Sequence, residues 1–220
     1  MSNLWRMDSP FMQKMTTITN LIILNALWII CSIPIITMGA ATTAMYSVLF
    51  AYRRQETDSV LKPFFSAFKK NFRRSTLCWI VLLVLILALA YDAIVLIFGA
   101  EMQLFLCIPV IIIGLMVVIT VVYIFPQIAL FENKTIPMIK NGFLLFVLYP
   151  LQSIAVIILT LLPLILLLFI PQLFWFSILL WTLIGISLCA KINCFLLSKI
   201  FERYIPKSEE VDESEETDEN

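Results

Sequence analysis

The chain has 220 residues, 61% of them apolar and 14% charged, where soluble globular proteins average roughly 45–50% and about 25%. Fifteen Lys and Arg balance fifteen Asp and Glu, but residues 208–220 (SEEVDESEETDEN) hold eight of the acids and no base, leaving the rest about eight charges positive. A water-soluble surface is excluded, and with no histidine in the chain so are Ser-His-Asp and Cys-His triads, histidine metal sites and histidine proton relays.

Apolar stretches of bilayer length recur along the chain. They predict an all-α fold, a polytopic membrane helical bundle with about five transmembrane helices, or six if residues 18–52 form a hairpin. Residues 1–17 form an amphipathic amino-terminal segment, with Leu4, Met7, Phe11 and Met15 on one face. A cleaved signal peptide is disfavoured, because this segment is long and lightly basic and the apolar core after it outruns a usual signal.

The membrane domain is expected over 18–198. Its first apolar region, 18–52, is interrupted by Pro34 and Gly39 and would measure roughly 50 Å as one helix, too long for an upright crossing. It is either one crossing helix that breaks near Pro34 and continues into the interface, or two short helices in a hairpin. We favour the single crossing.

Residues 59–74 carry Leu61, Phe64, Phe65, Phe68 and Phe72 at helical spacing, with Lys62, Lys69, Lys70, Arg73 and Arg74 beside and opposite that stripe. This predicts a basic interfacial helix, with Pro63 tolerated in its first turn. It either anchors on anionic lipid through its aromatic residues or presents its basic face to a protein partner. Nucleic acid is not expected, since no reading motif accompanies the charge.

Further spans are expected at 79–98, 104–130, 143–170 and 174–197, with kinks at Pro109, Gly114, Pro126, Pro150 and Pro163. Seven Lys or Arg lie in 53–74, two in 131–141 and three after the last span, while 99–103 and 171–172 have none. By the positive-inside rule the 53–74 connection and the carboxyl-terminal segment 199–220, including the acidic disordered tail 208–220, are cytoplasmic. The amino terminus is external if 18–52 crosses once and cytoplasmic if it crosses twice.

Asp92, Gln127 and Gln152 are the candidate intramembrane polar site. For Asp92 the alternatives are a cation or proton role, an inter-helix hydrogen bond, or a water-exposed position near a helix end. Asn20, Asn25, Gln127, Gln152 and Asn193 can bond across helices, and Lys191 can snorkel. The five cysteines form no CxxC pair and read as small apolar groups. No paired-carboxylate, nucleotide-loop or metal-binding pattern occurs, so no enzyme activity, cofactor or metal is expected.

The segments NALWIICSIPIITMGAATTAMY (25–46), FFSAFKKNFRRST (64–76) and VYIFPQIALFEN (122–133) resemble the YesL-like family of small bacterial integral membrane proteins. That resemblance implies a bacterial cell-membrane protein whose relatives are associated with carbohydrate uptake gene clusters. It further implies an accessory or assembly role beside permease subunits of an ABC-type sugar transporter. The alternatives are an independent secondary transporter of a small polar solute and a structural membrane protein. Polar residues converging on a water-filled path would favour the former alternative. A closed core with an exposed lateral helix surface would favour the accessory role.

Overall fold

A computed structural model describes residues 10–98, 104–131, 135–169 and 178–201. The first nine residues, the start of the expected fifth span at 174 and the acidic tail lie outside the described residues.

Residues 18–52 fold as two helices, α1 (Pro10–Ser32) and α2 (Met38–Arg53), joined through a single 3-10 turn at Ile35–Thr37. This corrects the single crossing expected from the sequence. Pro34 disfavours helix at Ile33 and brings no N–H of its own. Thr37 Oγ1 is within donating reach of the Cys31 and Pro34 carbonyls, at 2.6 and 2.8 Å, which satisfies groups freed where α1 stops. The two helices run antiparallel. The Trp28 indole N–H donates to Thr42 Oγ1 at 3.0 Å near the turn, and the Asn20 amide donates to the Tyr52 hydroxyl at 3.3 Å near the open end.

The expected interfacial helix and second span are one element, α3 (Leu61–Phe98), 38 residues long and therefore about 57 Å. No proline or glycine interrupts it between Phe64 and Phe98, so nothing local ends the helix at 74. Its first half packs along α2. Phe64 is fully buried and Phe68 joins the core, while Leu61, Phe65 and Phe72 stay exposed. Only part of the predicted apolar stripe thus serves packing within the chain.

The α2–α3 seam is built from small residues. Gly39, Ala40, Ala41, Thr43 and Ala44 are all buried, which lets the backbones approach as small residues do between membrane helices. A methyl at Gly39 would stand 2.5 Å from Trp79 Cβ and 2.7 Å from the Ser75 carbonyl oxygen. Thr43 and Ser75 share a buried hydroxyl hydrogen bond of 2.9 Å, and the Trp79 indole N–H donates to the Ile35 carbonyl at 2.7 Å. Trp79 is therefore level with the α1–α2 turn. Residues 61–79 run beside α2, and residues 80–98 continue past the turn.

Helix α4 (Leu104–Leu130) stays helical through Pro109 and Pro126. The sharp break falls in the expected fourth span instead. There α5 (Thr135–Leu148) and α6 (Pro150–Phe169) meet at 113°, with ring-closed Pro150 opening α6 where its missing N–H costs nothing. The kink expected at Pro150 in the 143–170 span is a sharp break, and the helix before it already begins at Thr135. The last helix, α7 (Ile178–Phe201), contains a π turn at Trp181–Gly185. It closes the bundle against α1 and α2, with the Phe195 ring between Arg53 and Lys199 at 5.0 and 4.5 Å.

Candidate functional site

A cavity of about 380 Å³ lies between α1, α2, α4, α6 and α7, with Trp79 of α3 at its edge. Its walls are mostly apolar, with the aromatic rings of Trp28, Trp79, Trp181, Tyr46 and Phe125 among aliphatic side chains. Its polar members are Thr42, Thr160 and Asn193, and no charged side chain lines it. Volume and lining match the common form of a small-molecule site, an apolar pocket with few polar groups.

Most of those polar groups are satisfied. Thr42 accepts from Trp28 and donates to the Met38 carbonyl at 2.8 Å. Thr160 donates to the Val156 carbonyl at 2.8 Å and accepts from Asn193 Nδ2 at 3.0 Å. Two are not: Asn193 Oδ1 and Trp181 Nε1 are buried and have no hydrogen-bond partner. They are one acceptor and one donor, both on α7. Tyr46 stands beside the same amide.

The π turn sets this arrangement. Twelve residues of regular helix would place positions 181 and 193 about 120° apart. A π turn absorbs one extra residue, so the two behave as if eleven apart and fall within about 20° of one face. The turn is held open from α1. The fully buried Asn25 donates through Nδ2 to the Trp181 and Thr182 carbonyls at 3.0 and 2.7 Å and accepts from the Ser187 N–H at 3.0 Å. Ser187 Oγ in turn donates to the Leu21 carbonyl at 2.8 Å. Gly185 belongs to the same device, since the Trp181 indole occupies the space a side chain at 185 would need.

The intramembrane residues singled out in the sequence do not meet here. Asp92 is exposed on α3 beyond Trp79. Gln127 is buried on α4, its Nε2 without a partner, and lines a separate cavity of about 270 Å³ with Met138, Asn141 and Phe201. Gln152 is half-buried on α6. Its neighbour Ser153 is the residue that bonds across, at 2.5 Å from the Tyr123 hydroxyl. Neither Asp92 nor Gln152 lines either cavity. Lys191 is half-buried and, with Arg53, lines an apolar cavity of about 170 Å³ where α1, α2 and α7 meet.

The basic residues of α3 divide by environment. Lys62, Lys69, Lys70 and Arg73 are exposed, whereas Arg74 is half-buried and its guanidinium donates to Met138 Sδ at 2.9 Å. The Thr43–Ser75 and Gly39–Trp79 contacts place Arg73 beside the middle of α2 and Lys69 and Lys70 about one turn short of its end at Arg53. Sequence reasoning missed this pairing with α2, because the local pattern of 59–74 carries no signal of what it packs against. It named Asn25 and Asn193 among residues able to bond across helices, and both do.

Among the described residues five helices are each long and apolar enough to cross a membrane, and the bent pair would make a sixth. The chain is a multi-pass helical membrane protein. Residues 21–93, from within α1 to the outer half of α3, match the family described as "Protein of unknown function, DUF624". No curated protein and no solved structure matches the chain.

Proposed function

We propose that this is a non-enzymatic protein of the bacterial cell membrane that serves carbohydrate uptake as an accessory or assembly component. In this reading it binds permease subunits of an ABC-type sugar transporter. The observation that carries the partner-binding part is the cluster of exposed cations on α3. Lys69, Lys70 and Arg73 are exposed beside a helix long enough to cross a bilayer. An exposed basic cluster on a helix face complements a polar or acidic surface of a neighbouring protein, and docking of such a surface is the role proposed for it.

The carbohydrate part rests on the YesL-like resemblance. Two of the three segments that carry it, 25–46 and 64–76, lie inside the stretch matched by the DUF624 family. In the proposed orientation the loop after α2 and the carboxyl terminus are cytoplasmic. The hairpin returns the chain to its starting side, which puts the amino terminus, with Arg6 and Lys14, on the same side as the basic 53–74 connection. An independent transporter built on Asp92, Gln127 and Gln152 is disfavoured by their separate environments.

The test is quantitative co-purification from native cells grown on a complex carbohydrate and on glucose, in mild detergent with mass spectrometry. Specific recovery of one sugar permease system is expected on the carbohydrate. Replacing Lys62, Lys69, Lys70 and Arg73 with Gln, while keeping Arg74 on Met138, is expected to cut that recovery about 10-fold at unchanged membrane abundance, the effect of losing about 1.4 kcal/mol of binding. No enrichment of a transporter component at adequate abundance would overturn the reading.

A further inference from the structure

We propose that the narrow apolar cavity where α1, α2 and α7 meet, with the cations at its edge, is a binding site for one anionic phospholipid, an acyl chain entering the cavity and the phosphate pairing with Lys191, Lys199 and Arg53. None of these residues belongs to α3, so the site stands whether or not α3 docks on a permease.

The cavity sets the chain part. Its volume is about 170 Å³, below the roughly 300 Å³ at which pockets begin to enclose a whole drug-sized ligand. Leu21, Leu24, Val48, Leu49 and Val60 form its inner wall and are all buried. A segment of hydrocarbon chain suits such a wall, whereas a polar group would lose its water there without gaining a partner. Phe195 also lines the cavity and is 50% exposed. The cavity therefore reaches the outer surface of the bundle, where the bilayer supplies chains.

The edge sets the headgroup. Lys191, Phe195 and Lys199 follow one another at four-residue spacing and share a face of α7. The Arg53 guanidinium stands 5.0 Å and the Lys199 ammonium 4.5 Å from the centre of the Phe195 ring, so α2 and α7 bring two cations to one ring, with Lys191 a turn before it. Lys191 is half-buried and about 15 Å from the end of α7 at Phe201. An ionisable group within a membrane helix calls for a counter-charge, and no Asp or Glu lines this cavity. Its stem lies along the apolar wall and carries the ammonium toward headgroup level. A phosphodiester supplies the missing negative charge with oxygens that accept from all three cations. A zwitterionic headgroup would bring a cation of its own into the cluster. In the orientation proposed above the cavity lies at the cytoplasmic end of α2, where basic pockets between membrane helices hold anionic headgroups.

The experiment titrates the detergent-purified full chain with dioleoyl phosphatidylglycerol and with dioleoyl phosphatidylcholine, which share their acyl chains, and reads bound lipid by native mass spectrometry. One phosphatidylglycerol is expected to bind saturably, at least about 10-fold tighter than phosphatidylcholine. Lys191→Gln is expected to weaken phosphatidylglycerol about 5-fold, the worth of one cation at a membrane surface, and to leave phosphatidylcholine unchanged. Adding Lys199→Gln brings the loss to at least about 10-fold. Thr17→Trp, at a half-buried position that lines the cavity, takes the room of a chain segment and is expected to weaken both lipids at least about 10-fold, as excluding two methylenes would. If Thr17→Trp fails to fold, Val60→Phe fills the same cavity from its other side. Replacing Lys62, Lys69, Lys70 and Arg73 with Gln is expected to leave the preference intact. Equal binding of the two lipids overturns the site, and so does loss of the preference in that α3 variant alone. Competition by glycerol 3-phosphate as tight as the lipid itself would also overturn it, making the cations a site for soluble phosphates, as would unchanged binding in folded Lys191→Gln and cavity-filling variants.

Discussion

Gly39→Ala is expected to destabilise the protein by about 2–3 kcal/mol, although alanine is the better helix former by about 1 kcal/mol. The new Cβ would stand 2.5 Å from Trp79 Cβ and 2.7 Å from the Ser75 carbonyl oxygen. Both belong to or adjoin the α3 backbone, so no flexible side-chain end can swing away. The helices must separate, which stretches the Thr43–Ser75 bond and the Trp79–Ile35 bond together. Gly114→Ala supplies the matched control. Nothing lies within 4 Å of a Cβ there, so propensity alone acts and the change is neutral or stabilising by up to about 1 kcal/mol. Denaturant unfolding of both variants in mild detergent, followed by tryptophan fluorescence, checks the opposite signs. Equal behaviour would mean that α2 and α3 are not in contact at Gly39.

Asn25→Asp is expected to do more damage than Asn25→Ala despite its closer shape. The wild-type amide donates twice to the Trp181 and Thr182 carbonyls and accepts once from Ser187 N–H. Alanine removes all three bonds, and at an average near 0.6 kcal/mol per inter-helix bond in a membrane protein, with a maximum near 1.7, the loss is about 2–4 kcal/mol. Aspartate keeps the acceptor but turns an oxygen toward two carbonyl oxygens. It must either sit there charged or take up a proton and make one of the two donor bonds, and either course exceeds the alanine cost. The order is measured by comparing membrane abundance and unfolding midpoints of the two variants. A second consequence separates this role from generic core packing. Without the group that holds the π turn open, α7 relaxes toward regular helix, and Trp181 and Asn193 no longer share a face. A cysteine pair placed on α1 and on α7 beyond residue 186 should therefore change its crosslinking register in Asn25→Ala and keep it in Gly39→Ala.

The two substitutions differ in how much of their effect was visible in the residue string. The small-residue run around Gly39 could be read as permitting close packing, but its partner could not. Ser75 and Trp79 lie more than thirty positions away, in a segment whose own pattern read as an interfacial helix and the start of a span. Asn25 could be read as a residue able to bond across helices. That its partners are the carbonyls of a π turn more than 150 positions on has no local signature.

Sequence alone determined what depends on composition and short-range periodicity. Hydrocarbon-length apolar runs require backbone groups to be satisfied within each segment, which dictates helices and a membrane location. The lack of histidine removed whole classes of chemistry. Tertiary structure decided whatever depends on which helix meets which: the hairpin at Pro34, the continuity of α3 and the 113° bend at Pro150. It also decided the cavity, whose walls come from residues between Trp28 and Asn193. The physical reason is the solvent. Lipid tails are as apolar as the helix faces they meet, so hydrophobicity drives a segment into the bilayer without selecting its neighbour. That selection falls to close backbone approach at Gly39 and to the few polar bonds of Asn25, Ser75 and Asn193, which take effect only once their distant partners are in place.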